Sequence, residues 1–330
     1  MKIGLIGLGR IGKLYAEILL KNFDEIEVCA FSPRLQKRFY DLTHISRFKF
    51  FSSWNSFIGD HSIIGYIIAA PSTTHYEYIK KLIKFGKPIF CEKPLDLSLK
   101  RIDKIHELTK DSGFPITIGF NRRFDPDIRQ LKKEIQTGTI GTPHIVKITS
   151  RDPAPPSIEF LRSSGGLFLD MVIHDFDMAR FLLDEEPISI YSEAEVLIDQ
   201  EIGKIGDFDT AISTLKFPKG TMVVIDNSRR SVYGYDQRIE VFGSKGMITT
   251  KNQRDHSVIK YDHKGSHMTP LKDFFIERYY QSYVNEMTEF LKICQGDKGQ
   301  IVTVNDARQA TKIALAAMKS IKNQRQNLIQ

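Results

Sequence analysis

The chain has 330 residues, 41% of them hydrophobic and 26% charged, with a formal net charge of +7. Its length exceeds one ordinary core and predicts two domains, and its composition is that of a globular protein in water. No apolar run approaches the ~20 residues that span a bilayer, and no arginine-rich tract interleaved with aromatics marks a nucleic-acid binder, so neither membrane nor nucleic acid is expected as a partner.

Residues Lys2 to Ile6 read as a strand, followed at once by Gly7-Leu8-Gly9-Arg10-Ile11-Gly12. This opening run is too short and glycine-broken for a signal peptide. Next, Ile11, Leu14, Tyr15, Ile18 and Leu19 fall on one helical face. Strand, G-x-G-x-x-G and helix in that order point to a dinucleotide pyrophosphate. Gly7 permits the tight turn, Gly9 the approach of backbone to phosphate, and Gly12 the packing of helix on strand. The helix N-terminus supplies free N–H groups and a favourable dipole. An accidental glycine-rich turn is the weaker alternative.

A second strand, Ile26 to Phe31, delivers Ser32-Pro33-Arg34. No acid stands there for a ribose 2′-hydroxyl. Ser32 and Arg34, with Arg38 further on, suit a 2′-phosphate or equally a solvated helix start, so NAD and NADP both stay open. The apolar strand Ile63 to Ala70 ends in Pro71-Ser72-Thr73-Thr74-His75, at the end where such sheets bind ligands. A helix from His75 to Phe85 follows, with Thr74 as its N-cap. His75 reads first as structural, with a cofactor contact as the alternative.

Ile89, Phe90 and Cys91 then form a short buried strand that ends in Glu92-Lys93-Pro94. Alone, Glu92 and Lys93 would pass for a surface pair. Delivered to the same edge as Gly7 to Gly12, they become candidates for binding or proton handling, with Pro94 restricting how Lys93 is aimed. A helix from Ser98 to Asp111 and a strand from Pro115 to Gly119 complete a doubly wound parallel unit over residues 1–120. Phe120 to Pro126 reads as a domain crossover, in which Arg122 and Arg123 either clamp a polar ligand or brace an interface.

Strands dominate beyond residue 140: Pro143 to Thr149, Ile188 to Leu197, Thr210 to Phe217, Thr221 to Asn227, Gln237 to Phe242 and Met247 to Lys251. Pro218-Lys219-Gly220 is a hairpin turn. The expectation is an α/β first domain and an α+β second domain over 121–330. The second would have an open, largely antiparallel sheet with helices on one face, and its other face would pair with a second copy in a homo-oligomer, dimer or tetramer. Helices Phe275 to Gln295 and Val304 to Gln324 close the chain. The cysteines Cys29, Cys91 and Cys294 make no disulfide framework, and two lie in apolar strand-like runs, so a reducing cytoplasm is expected.

Within this half, Gly165-Gly166 precede Asp170 and His174, which share a face on a helix. A carboxylate beside an imidazole orients it and suits it to take a proton. A structural histidine in an acid-rich helix is the ordinary alternative. Asp175 and Asp177 raise a metal reading, but no further His or Cys has useful spacing, so no metal is expected.

Together these motifs resemble the Gfo/Idh/MocA family of sugar and cyclitol oxidoreductases over nearly the whole chain. Gly119-Phe120-Asn121-Arg122-Arg123-Phe124-Asp125 and Tyr233-Gly234-Tyr235-Asp236 resemble its inositol 2-dehydrogenase branch. The resemblance implies NAD(P)-dependent oxidation of an inositol ring hydroxyl to the ketone. Its catalytic trio would be Lys93, Asp170 and His174: His174 takes the hydroxyl proton, Asp170 orients the ring, and Lys93 stabilises the developing alkoxide. The same residues with Asn121, Arg122, Asp152 and Tyr233 would touch the polyol. Gly7, Gly9, Arg10, Ile11, Gly12, Ser32, Pro33, Arg34, Pro71, Ser72, Thr74, His75, Glu92 and Lys93 would line the coenzyme. Pro33, where NAD-using members tend to carry an acid, and Ser150-Arg151-Asp152, in place of the usual polar pair, depart from the branch. An aldose dehydrogenase or ketosugar reductase of the same family, or a non-catalytic dinucleotide sensor, are the alternatives.

Overall fold

Short, largely apolar segments build the first sheet. Its strands are Lys2–Ile6 (β1), Glu27–Phe31 (β2), Phe48–Phe51 (β3), Ile63–Ile68 (β4), Ile89–Glu92 (β5) and Ile116–Gly119 (β6). They pair in the order β3-β2-β1-β4-β5-β6, every pair parallel. Helices Arg10–Asn22 (α1), Trp54–Ile58 (α2), His75–Leu82 (α3) and Leu99–Thr109 (α4) make crossovers. The order reverses between β1 and β4, the switch point at which doubly wound sheets bind ligands beyond the carboxyl ends of their strands. Because all six strands run one way, the residues after β1, β2, β4 and β5 emerge along one edge.

The computed structural model describes residues 1–34, 37–110, 113 and 115–329. The chain divides into two compact units, Met1–Phe124 with Ser282–Arg308, and Asp125–Gln281 with Gln309–Gln330. These units differ from the sequence-based division at 120/121 in two respects: the first unit runs on to Phe124, and residues 282–308 return to it. Phe290 packs edge-on against Phe90 at 5.7 Å, and the Val302 carbonyl accepts the Ile118 N–H at 2.9 Å. A helical pattern shows which face is apolar, not which sheet that face will cover.

In the second unit, Pro126–Gln136 (α5) starts at Asp125, whose carboxylate accepts the N–H groups of Asp127 and Ile128. The main sheet contains Pro143–Arg151 (β7), Ser189–Glu195 (β8), Thr210–Lys216 (β9), Met222–Ser228 (β10), Asp236–Gly243 (β11) and Gly246–Thr249 (β12). Ile259–Asp262 (β13) and Gly265–Met268 (β14) form a separate hairpin, and Asn327–Leu328 (β15) closes the order β12-β11-β7-β10-β9-β8-β15. Only β7 and β10 pair in parallel. Along β9, Ala211, Ser213 and Leu215 are buried while Ile212, Thr214 and Lys216 are exposed, the alternation of a sheet covered on one face.

The remaining helices are Ile158–Ser164 (α6), Ile173–Leu183 (α7), Gln200–Lys204 (α8), Phe275–Arg278 (α9), Tyr280–Cys294 (α10) and Val304–Asn323 (α11). The single helix expected from Phe275 to Gln295 is therefore interrupted at Tyr279. Buried Arg278 pairs with Asp125 at 2.7 Å, and that anchor fixes the turn. Helix α3 stops at Leu82 and tightens into a 3₁₀ turn before Gly86, whose φ of +63° ends it. Thr74 does not cap α3 by its side chain; its hydroxyl donates to the Pro71 carbonyl at 2.7 Å. The expected end of α4 at Asp111 lies outside the described residues. Among the described residues, no helix is long and apolar enough to cross a membrane.

Candidate active site

The loop after β1 meets the steric demands of a dinucleotide cradle. Gly7 has φ +100°, and its N–H donates to the Phe31 carbonyl at 3.2 Å. A Cβ on Gly12 would lie 2.1 Å from the Gly7 carbonyl oxygen, so only glycine lets α1 pack this closely. Gly9 is different: it is the exposed N-cap of α1, and a Cβ there would meet nothing within 4 Å. Glycine at Gly9 thus answers no steric demand of the fold, and backbone N–H groups of the first helical turn lie beside it. These features fit a pyrophosphate. Arg10 is exposed and Ile11 half-buried at the same turn.

Around this cradle, Ser32 is half-buried and its N–H donates to the Phe51 carbonyl, while Pro33 and Arg34 are exposed. Pro71, Ser72 and Thr74 lie at the carboxyl end of β4 in a 3₁₀ turn. His75 is buried, with Nδ1 3.0 Å from the Pro94 carbonyl and Nε2 2.9 Å from the Ala70 carbonyl. It ties the end of β4 to the turn after β5. Burial lowers its pKa, and a neutral ring donates to only one of the two carbonyls at a time.

Glu92 and Lys93 leave β5 on the same edge. The Lys93–Pro94 peptide is cis. Lys93 is half-buried, and its backbone N–H donates to Glu92 Oε2 at 3.0 Å. Glu92 is buried, and its other oxygen accepts the Tyr15 hydroxyl at 2.5 Å. Asn121 and Arg122 follow β6 in a buried 3₁₀ turn. The Asn121 amide donates to Ser282 Oγ at 3.0 Å, and that hydroxyl donates back to the Asn121 carbonyl at 2.9 Å. Neighbouring Arg123 pairs with Asp306 at 3.0 Å, which braces the first unit internally.

In the second unit, Asp170 lies in a π-helical turn, Phe168–Val172, that runs directly into α7 and His174. This corrects the plain α-helix expected there, although the two side chains still stand one turn apart. Both are half-buried. Two left-handed glycines, Gly165 at φ +90° and Gly166 at φ +76°, separate α6 from this turn. Asp207 Oδ1 accepts the Leu167 N–H at 2.9 Å and so holds the start of the turn. A Cβ on Gly166 would lie 2.7 Å from that same oxygen.

Arg229, with 0% exposure, donates from Nη1 to Asp170 Oδ2 at 3.4 Å, and its Nη2 lies 4.0 Å from Asp207 Oδ2. Asp175 instead accepts the Asn227 amide at 2.7 Å, and Asp177 faces Arg180 at 3.5 Å. Among the described residues no group of three or more His, Cys, Asp or Glu is placed to hold a metal. Asp152 follows β7, and its N–H donates to the Ser228 carbonyl at 2.9 Å, next to Arg229. Tyr233, half-exposed, donates to Asp236 at 2.6 Å and accepts from Arg151 at 3.1 Å.

Sequence reasoning missed Arg229, Asp207 and Glu286, a buried acid on α10 whose Oε2 lies 3.4 Å from the Tyr15 hydroxyl. Arg229-Arg230 passes for a polar turn, and Glu286 for the wet face of a helix. Only the parallel pairing of β7 with β10, which sets Ser228 opposite Arg151, places Arg229 beside the residues after β7.

Known proteins resemble the chain throughout. The model of an oxidoreductase family with an NAD-binding Rossmann fold matches residues 1–120, and the GFO/IDH/MocA C-terminal domain matches 128–249. Myo-inositol 2-dehydrogenase of Thermotoga maritima is 43% identical over 326 residues, covering 98% of this chain and 97% of its own. A myo-inositol dehydrogenase structure from Corynebacterium glutamicum superposes with a TM-score of 0.94 at 33% identity, covering 100% of this chain and 99% of its own. The scyllo-inositol dehydrogenase of Lactobacillus casei, solved with NAD(H) and scyllo-inositol, gives 0.90 at 26% identity, covering 100% and 99%.

Proposed function

The chain belongs to the Gfo/Idh/MocA oxidoreductase family, and from that premise we propose that it oxidises one ring hydroxyl of an inositol, myo or scyllo, to the ketone. The observation that carries this reading is a 43% identical relative named for that reaction and matching 98% of the chain. NAD supplies the hydride acceptor when bound; NADP is the coenzyme to test beside it. Gly7, Gly9 and Gly12, with the first turn of α1, would hold the pyrophosphate, and Ser32 to Arg34 would face the ribose. Pro71, Ser72 and Thr74 belong to the same edge.

His174 is the proposed acceptor of the hydroxyl proton. Asp170 orients its ring and offsets the imidazolium charge. Lys93 offers an ammonium to the oxygen as negative charge develops there, a preorganised donor of the kind that stabilises transition states. Asn121, Arg122, Asp152 and Tyr233 remain proposed polyol contacts; the amide of Asn121 already serves Ser282, so any contact from it is shared.

Lys93→Met and His174→Ala test the assignment. Each is expected to lower kcat about 10²–10⁴-fold with coenzyme affinity retained. Near-wild-type turnover in either would contradict it.

Two further features belong to the proposal. The open face of the second sheet exposes Ile212, Met222, Phe242 and Met247, which supports a homo-oligomer, dimer or tetramer, formed through it. Light scattering that shows a monomer at working concentration would refute this. Cys29, Cys91 and Cys294 are free, which supports a cytoplasmic protein without structural disulfides.

A further inference from the structure

Two carboxylates and one phenol meet in the interior of the first unit. Tyr15 on α1, Glu92 at the end of β5 and Glu286 on α10 are 0%, 9% and 2% exposed. The Tyr15 hydroxyl lies 2.5 Å from Glu92 Oε1 and 3.4 Å from Glu286 Oε2. Glu286 Oε1 is buried without a hydrogen-bond partner, and among the described residues Glu286 forms no ion pair. The walls are apolar and aromatic: the rings of Phe90 and Tyr283 stand edge-on to Tyr15 at 5.3 and 5.9 Å.

The phenol has one hydrogen and two carboxylates to satisfy. Were both acids ionised, two like charges would share a dry site with a single donor between them, which low dielectric forbids. The charged and titratable neighbours do not relieve this. Lys93 acts on Glu92, Tyr283 faces Tyr15, and Cys91 and Asp96 flank the same strand end. No cation faces Glu286 among the groups that act on it, which are Glu92 and Tyr15.

We propose that Glu286 carries a proton on Oε2 at neutral pH and that it and Tyr15 are positioning residues for Lys93. The chain of donors runs from Glu286 O–H to the Tyr15 oxygen, from Tyr15 O–H to Glu92 Oε1, and from the Lys93 backbone N–H to Glu92 Oε2. Every hydrogen in it has an acceptor, and the ionised end is Glu92, beside the ammonium of Lys93. Burial pushes both carboxyls upward, Glu286 further, in keeping with this order. Loss of the Glu286 proton would draw the Tyr15 hydrogen away from Glu92 and slacken its hold on Lys93. The inference rests on the reading of Lys93 as a residue that acts on the reacting oxygen.

The test uses Glu286→Gln, whose amide donates to Tyr15 as the acid does but cannot ionise. A carboxyl held protonated by the fold loses stability as pH rises from the unfolded carboxyl value through its folded one. The Tm of E286Q should therefore match wild type near about pH 5 and exceed it progressively toward about pH 9. Tyr15→Phe and Glu286→Leu break the donor chain. Each should lower kcat about tenfold with KM and coenzyme affinity little changed, while E286Q restores most of the rate. A pH-independent difference in Tm, or wild-type kcat in Y15F, would overturn the proposal. Lys93→Met assayed in parallel separates the two readings: wild-type turnover there would overturn the role of Lys93 and the kinetic half of the proposal with it, whereas a flat Tm difference overturns the proposal with Lys93 intact.

Discussion

The Arg229 guanidinium is shared between two acids, Asp170 at 3.4 Å and Asp207 at 4.0 Å, and is wholly buried between them. Asp207 holds the Leu167 N–H at the start of the π-turn that carries Asp170. One cation thus ties the orientation of the proposed acid to the geometry of its own backbone.

Arg229→Met is expected to remove the buried guanidinium that both carboxylates face. Breaking a buried pair in this way costs about 3–5 kcal/mol. The variant should show a large fall in Tm together with loss of turnover, and Arg229→Lys, which keeps the charge but not the fork, should fall between. Unchanged stability in the methionine variant would show that the cation does not hold these acids.

The glycines of the first loop separate fold from ligand. Gly12→Ala places a Cβ 2.1 Å from the Gly7 carbonyl and should unfold the first unit or block its packing. Gly9→Ala meets nothing within 4 Å, so it should cost only what a poorer N-cap residue costs, about 1 kcal/mol. Its affinity for NAD, measured by calorimetry, should nonetheless fall about tenfold or more if backbone approaches the pyrophosphate there. Equal affinity would place the phosphates elsewhere.

That contrast shows what a sequence discloses. Gly7, Gly9 and Gly12 were legible because one local pattern dictates strand, turn and helix together. Glu92 and Lys93 alone pass for a surface pair, and they stood out only because the βα order delivers them to the same edge as Gly7 to Gly12. Asp170 and His174 were found by spacing, yet the π-turn beneath them was not, because it depends on Gly166 packing against Asp207, far along the chain. Arg229 and Glu286 were invisible for the same reason: each looks like a surface residue of its own element until distant partners bury it. The return of residues 282–308 to the first unit follows from Phe290 meeting Phe90, a contact no local period encodes.

The proposed coenzyme contacts Ser32 to Arg34 include no acid. Pro33→Asp should raise the ratio of kcat/KM with NAD to that with NADP by about tenfold, since a carboxylate accepts a ribose hydroxyl and repels a 2′-phosphate. An unchanged ratio would remove this loop from coenzyme selection.

Asp209 gives a pH signature in the second unit. Burial alone would raise its carboxyl, but the N–H groups of Leu197, Ile198 and Asp199 at 2.9, 2.8 and 3.1 Å, with the Thr210 hydroxyl at 2.9 Å, outweigh it and hold the group below its ordinary value. A lowered carboxyl contributes stability that is present above the unfolded value, about 3.9, and lost as pH falls through the folded one. Asp209→Asn should be less stable by about 1–3 kcal/mol at neutral pH, with the gap closing in acid. Urea unfolding across that range checks it, and a gap of constant size would contradict it.

The most direct test of the central claim is the initial rate of NADH formation by the wild-type protein with myo-inositol, scyllo-inositol, glucose and xylose. The account predicts a kcat/KM for one of the inositols at least about tenfold above either aldose, a margin of roughly 1.4 kcal/mol in transition-state binding. Faster turnover of an aldose, or no turnover of any of them despite measurable NAD binding, would contradict it.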